Sequence, residues 1–352
     1  MSENSPLVLV SDETVLEELL RMAAAAGCEL KRVPDATAAR PLWQRAPLIL
    51  LDPAGAQEVQ VARLPKRDRI VLISPDTTTI DGWHAAVDLG AEHVVELPAA
   101  SSWLADAFAD AAEGVGPPGR VLAVVGGRGG AGASVFAVAV AKAAAGAGHR
   151  AMLVDCDPLA AGLDLVLGAE TEQGLRWPDM EVRGRVAASS LRAALPGSTG
   201  LKLVSGARKG FAPEPDAVTA VVQAGRRGGD IVVCDLPREL SPAAQAALDL
   251  ADLTVIVVPA ELRACASARI VSSRLKERGV VAQVLVRGPA PGGLTPDEVA
   301  KAVELPLLSS MRYQKGLAVA LERGHFSDRN GPLIDAARRA LESLGVAEAI
   351  AS

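Results

Sequence analysis

The chain has 352 residues, too many for one small domain and suited to two, of roughly 110 and 230 residues. Asp and Glu number 42 against 36 Lys and Arg, which removes any global electrostatic case for specific nucleic-acid binding or for an anionic membrane surface. No run approaches about 18 uninterrupted apolar residues, and the opening Met-Ser-Glu-Asn-Ser-Pro lacks the order of an export signal. The expectation is a cytoplasmic protein with no stable membrane insertion.

In chain order, strand-like apolar runs and helix-like segments alternate: Leu7 to Val10, Glu13 to Ala26, Leu48 to Leu51, Ile70 to Ile73, His84 to Leu89, Val94 to Leu97 and Ser101 to Ala112. That order predicts a small doubly wound α/β sheet over residues 1–113. Gly114-Val-Gly-Pro-Pro-Gly119 breaks both helix and strand, so residues 114–119 are read as a linker and 120–352 as a second domain.

After the linker, Val121 to Val125 reads as a buried strand and Val135 to Ala147 as an Ala-rich helix. Between them lie Gly127, Arg128, Gly129, Gly130, Ala131, Gly132, Ala133 and Ser134. These are the glycines and terminal hydroxyl of a phosphate-binding loop, with alanine where G-x-x-x-x-G-K-[ST] requires its ammonium. Glycines let backbone N–H groups curl toward a phosphate, and the helix N-terminus adds partial positive charge.

Three more strand ends follow. Ala151 to Asp155 leads into Cys156 and Asp157, giving two acids at i and i+2; Ile231 to Asp235 precedes Leu236-Pro237; and Ala251 to Pro259 is a further buried run. The last helix, Pro332 to Leu344, gathers Leu333, Ile334, Ala337, Leu341 and Leu344 largely on one face and is read as a packed terminal helix. Cys28, Cys156, Cys234 and Cys265 are widely spaced, which predicts buried reduced thiols. His84, His93, His149 and His325 show no metal-ligand spacing, and Arg208 with Lys209 is read as a solvated loop pair.

Residues 1–113 resemble a response-regulator receiver domain. Leu7-Val-Leu-Val-Ser-Asp12 looks like its first strand with a metal-binding acid, and Leu50-Leu-Asp52-Pro like its third strand with the phosphorylated aspartate. Ser74 falls at the Ser/Thr switch, and Leu97 stands where the family has its lysine. With only Asp12 acidic at the first strand end and the lysine missing, the resemblance implies a pseudo-receiver that works by contact. Asp12 and Asp52 are then vestigial acids, and Asp52 is also readable as a simple cap at a strand end.

The ordered motifs of the second domain resemble the deviant Walker A ATPases of the ParA and MinD group, with a doubly wound P-loop fold. The resemblance implies ATP or ADP with Mg²⁺ as cofactor and a homodimer. It puts Arg128 where a signature lysine reaches across that dimer, Ser134 and Asp235 at the magnesium, and Asp157 as the switch I acid that orients the attacking water. Arg287 lies near where many relatives carry an adenine-contacting Asn. A pseudo-receiver joined to a lysine-poor ATPase of this group is similar to the CpaE and TadZ proteins, and most similar to the actinobacterial septum-site-determining proteins. Those relatives imply division-site or secretion and pilus-assembly partners, recruitment to septum or pole, and weak ATP binding with little or no hydrolysis.

Other readings of the same residues stay open. An active ATPase cycling between monomer and dimer keeps the motif order, and a ParA-like DNA binder is disfavoured by the acidic balance. Gly127, Gly129 and Gly132 also satisfy G-x-G-x-x-G, with Asp155 about 20 residues beyond, as in an NAD- or FAD-binding Rossmann unit. The loop also reads as a tight strand-to-helix turn that binds nothing.

Overall fold

The computed structural model describes all residues except 1–4, 75–79, 113–117, 161, 183, 207–210, 324–325, 327–329 and 347–352, and only the backbone at 80–82, 84 and 85. Most of the Gly/Pro linker, the Arg208-Lys209 pair, the His84 side chain and His325 therefore lie outside the described residues. The chain forms two compact units, 1–116 and 117–352.

The first unit contains, in order, β1 (Leu7–Leu9), α1 (Glu13–Ala25), β2 (Lys31–Arg32), α2 (Ala36–Ala39), β3 (Ile49–Leu51), α3 (Pro53–Val61), β4 (Ile70–Ser74), α4 (Ile80–Leu89), β5 (His93–Glu96) and α5 (Ser101–Ala112). Its five strands run parallel in the order β2-β1-β3-β4-β5, the flavodoxin-like arrangement. Strands β1, β3 and β4 are buried throughout, because helices cover both sheet faces and leave no polar alternation. One face gathers Leu19, Leu50, Ile73, Leu104 and Phe108, the other Trp43, Leu51, Val59 and Leu72. Strand β2 and helices α2 and α3 go beyond the sequence reading: β2 has two exposed residues and α2 four residues, too short for any period to show.

The second unit contains β6 (Val121–Gly126), α6 (Ala133–Gly146), β7 (Ala151–Asp155), α7 (Leu163–Leu167), a 3₁₀ turn (Trp177–Asp179), α8 (Ala188–Ala194), β8 (Leu201–Val204), α9 (Pro215–Arg227), β9 (Ile231–Leu236), α10 (Pro242–Leu248), β10 (Leu253–Pro259), α11 (Leu262–Glu277), β11 (Ala282–Arg287), α12 (Pro296–Val303), β12 (Leu307–Met311), α13 (Leu317–Glu322) and α14 (Pro332–Ser343). Gly119 already belongs to this unit, its N–H donating to the Arg226 carbonyl at 2.7 Å. The seven-stranded sheet has the order β12-β11-β10-β6-β9-β7-β8 and is parallel throughout. Helix α6 presents Ala137, Ala139, Ala141 and Ala144 to the core, and these small side chains let it lie close to the sheet and to α14.

This order corrects the dinucleotide-binding alternative. In a Rossmann unit the strand after the glycine loop pairs with the strand before it. Here β9 sits between β6 and β7, so the acid beside the loop strand is Asp235 rather than Asp155. All four cysteines are buried and unpaired. Among the described residues no helix is long and apolar enough to cross a membrane.

Candidate nucleotide site

In the first unit both sequence-predicted acids are occupied as helix caps. Asp12 accepts from the Thr14 and Val15 N–H groups at the start of α1. Asp52 is 3% exposed; its Oδ1 accepts from Gly55 N–H at 2.7 Å, and its Oδ2 from Ser11 at 2.6 Å and Asp12 at 3.1 Å. Three backbone donors thus take up the carboxylate that a receiver offers to phosphate, while Leu97 packs against the core.

In the second unit the glycine loop leaves β6 and enters α6. Gly127 has to be glycine: a Cβ there would lie 2.8 Å from the Ala268 Cβ on α11. Gly130 and Gly132 take positive φ values of 68° and 95°, conformations that glycine adopts without a Cβ penalty, and Gly132 is the N-cap of α6. Gly129 and Gly130 are exposed with open space around them. The N–H groups of Gly129, Gly130, Gly132 and Ala133 have no acceptor among the described residues. Unpaired N–H groups at a helix N-terminus form an anion-binding concavity.

Behind the loop, strand register brings two acids together: Asp155 of β7 lies opposite Asp235 of β9, and Val124 of β6 flanks Asp235 on its other side. Asp235 is 2% exposed. Burial, with the nearby charges of Asp155 and Asp157, pushes its pKa up to about 8, and the Ser134 hydroxyl beside it acts in the opposite sense. Its Oδ2 is buried without any partner. Asp155, raised to about 6 chiefly by burial, accepts from Asp157 N–H and Leu163 N–H, and the Trp177 indole N–H donates to its carbonyl at 2.6 Å. Asp157 is half-buried at the mouth and accepts from Leu159 N–H.

Magnesium keeps several waters and takes one or two protein oxygens beside nucleotide phosphates. The Ser134 hydroxyl and the unpartnered Asp235 Oδ2 suit that role, since a cation beside three acids would relieve the burial cost of the carboxylate. No group of three or more His, Cys, Asp or Glu that would hold a metal by itself occurs among the described residues.

Arg128 does not extend away from the loop. Its guanidinium pairs with Glu261, the N-cap of α11, at 2.9 Å. Arg287, at the end of β11, reaches over the loop, with Nη1 3.2 Å from where a Cβ on Gly132 would sit. A cavity of about 250 Å³ opens beside it, bounded by Gly132, Val135, Arg287, Gly288, Met311 and Tyr313. Glu261 carries no motif, and only the adjacency of β10 to β6 brings it to the loop.

The family described as "Rv3660c-like, CheY-like N-terminal domain" matches residues 9–119, and that described as "Cellulose biosynthesis protein BcsQ" matches residues 120–281. Protein Rv3660c of Mycobacterium tuberculosis (strain H37Rv) is 44% identical over 339 residues, covering 95% of this chain and 96% of its own. Solved structures share the fold of the second unit. A ParA family ATPase from Chlorobium tepidum TLS superposes with a TM-score of 0.54 at 19% identity, covering 63% of this chain and 99% of its own. A chain of the MinC:MinD cell division protein complex of Aquifex aeolicus gives 0.54 at 21% identity, covering 63% and 96%. The septum site-determining protein MinD of Pyrococcus horikoshii OT3, complexed with Mg-ADP, gives 0.52 at 18%, covering 66% and 99%. The strand orders, the glycine loop before α6 and these matches agree, and the chain belongs to the Rv3660c family, with a CheY-like N-terminal domain followed by a P-loop domain of the ParA/MinD fold.

Proposed function

We propose that this protein is a spatial-positioning regulator of septum placement or of a pilus or secretion machine, whose nucleotide site binds Mg²⁺ with ATP or ADP weakly and hydrolyses ATP poorly or not at all. The observation that carries the reading is a hydroxyl and a buried carboxylate suited to a metal ion, set beside a loop that lacks its phosphate-side lysine. The Ser134 hydroxyl stands beside a buried Asp235 that has one unpartnered oxygen, whereas position 133 is alanine and Arg128 is engaged by Glu261. Charge accumulates on the γ-phosphoryl oxygens during transfer, and losing one donor to such charge costs about 10²–10³ in rate. Ground-state binding loses less, about 1.5–3 kcal/mol for a charge-assisted hydrogen bond.

The N-terminal domain acts in this proposal as a contact surface, because Asp52 is committed to backbone donors. Partners at the division site or in secretion and pilus assembly, homodimerisation and recruitment to septum or pole belong to the same proposal. They are supported by the ParA/MinD fold and by a relative solved together with MinC. Calorimetric titration of the full chain with ATP and ADP, with and without magnesium, beside a phosphate-release assay, tests it. Magnesium-dependent binding in the micromolar to millimolar range without appreciable turnover is expected. Turnover at the level of ordinary P-loop ATPases would establish the active-ATPase alternative, and no binding would leave the loop a structural turn.

A further inference from the structure

Arg287 ends β11 in register with Pro259 of β10, and β10 lies against β6, so its side chain starts at the loop edge of the sheet. Its Nη1 and Cδ lie 3.2 Å and 3.8 Å from the point where a Cβ on Gly132 would stand. Glycine at 132 therefore serves twice, taking the left-handed turn and leaving room for a guanidinium over the N-terminus of α6.

The charges around this point do not balance. Arg128 and Arg287 are close enough for Arg128 to lower the Arg287 pKa, after burial, with Glu261 acting in the opposite sense. Glu261 is itself bonded to Arg128. Two guanidiniums, one carboxylate and a helix N-terminus leave net positive charge, and the Nε atoms of both arginines are buried with no hydrogen-bond partner. Unpaired buried donors of a charged group are costly, and an anion seated on the loop would offset them.

We infer that Arg287 supplies, from outside the loop, the phosphate-neutralising cation that Ala133 lacks. The ligand class is a nucleoside diphosphate or triphosphate, and Arg287 contacts its phosphates rather than its base. Guanidinium suits the task, since its planar fork grips phosphate oxygens with more than one donor. This assignment rests on the nucleotide reading above.

The experiment is calorimetry on the full chain with two probes, ADP and inorganic pyrophosphate, each with magnesium. Arg287→Gln should weaken both about 10- to 100-fold and to the same extent, the loss expected for one charge-assisted contact. Arg287→Lys should recover part of it. The double variant Ala133→Lys/Arg287→Gln should bind pyrophosphate better than Arg287→Gln alone, and by a larger factor than Ala133→Lys adds to the wild type, because the two cations serve one charge. A thermal melt of each variant checks folding, and the ADP-to-pyrophosphate comparison does not depend on stability. Weakened ADP with unchanged pyrophosphate would make Arg287 a base contact and overturn the inference. Unchanged binding of both by Arg287→Gln would also overturn it while leaving the nucleotide reading intact. A wild type that binds neither probe would end both.

Discussion

Asp235→Asn should make the nucleotide-free protein more stable at alkaline pH, although it removes a charged group from the centre of the site. The carboxyl is 2% exposed, one oxygen has no partner, and burial raises its pKa from 3.8 to about 8. The folded state therefore holds a proton that the unfolded chain has released over the window between about pH 4 and pH 8. A raised carboxyl pKa gives stability that is fully present below the unfolded value and is lost as pH rises through the folded one. A tenfold change in proton affinity is worth about 1.4 kcal/mol, so a rise of this size sets a ceiling on the order of 5 kcal/mol. Asparagine has nearly the same shape and no charge. In EDTA, the variant should match the wild type near pH 4 and exceed it at pH 8 by about 2–4 kcal/mol, a rise of roughly 5–15 °C in the melting of a unit this size. Thermal melts of both full-length proteins at half-unit pH steps are the assay. With Mg²⁺ and ADP added the order should reverse, because the variant loses the metal-side carboxylate. Parallel stability curves across the window, or a variant weaker at pH 8 without ligand, would refute the reasoning.

Asp52→Ala should cost about 2–4 kcal/mol, since Ser11, Asp12 and Gly55 N–H groups lose their acceptor; beryllofluoride with magnesium should leave the wild-type spectra unchanged, and a stoichiometric adduct at Asp52 would contradict this. Asp230→Ala should destabilise by about 3–5 kcal/mol in urea unfolding, because the carboxylate is fully buried between Arg192 at 2.7 Å and Arg150 at 2.9 Å and its loss strands the Arg192 charge. Glu261→Gln should change stability by less than about 1 kcal/mol, as its pair with Arg128 is partly exposed. The same change should raise the dimer fraction in sedimentation with ATP and magnesium by releasing Arg128, whereas Arg128→Ala should abolish that dimer; identical monomer fractions in all three proteins would confine Arg128 to its own chain.

The sequence alone determined the elements whose physics is local. Buried parallel strands such as Val121 to Val125 and Ile231 to Asp235 are continuous apolar runs because both faces are covered, and the loop at Gly127 to Ser134 is legible because phosphate binding needs glycines at fixed offsets before a helix. The missing lysine at 133 was equally plain. Tertiary structure decided what depends on strand order. Only the insertion of β9 between β6 and β7 seats Asp235 under the loop, sets Asp155 opposite it and separates the fold from a dinucleotide-binding one. The short elements β2 and α2 carried no period long enough to see. Arg128 and Arg287 were visible as residues, but their charges were not assigned until β10 and β11 brought Glu261 to Arg128 and Arg287 to Gly132. Electrostatics acts through space, and residues from three strand ends meet at this loop only because the sheet orders them there.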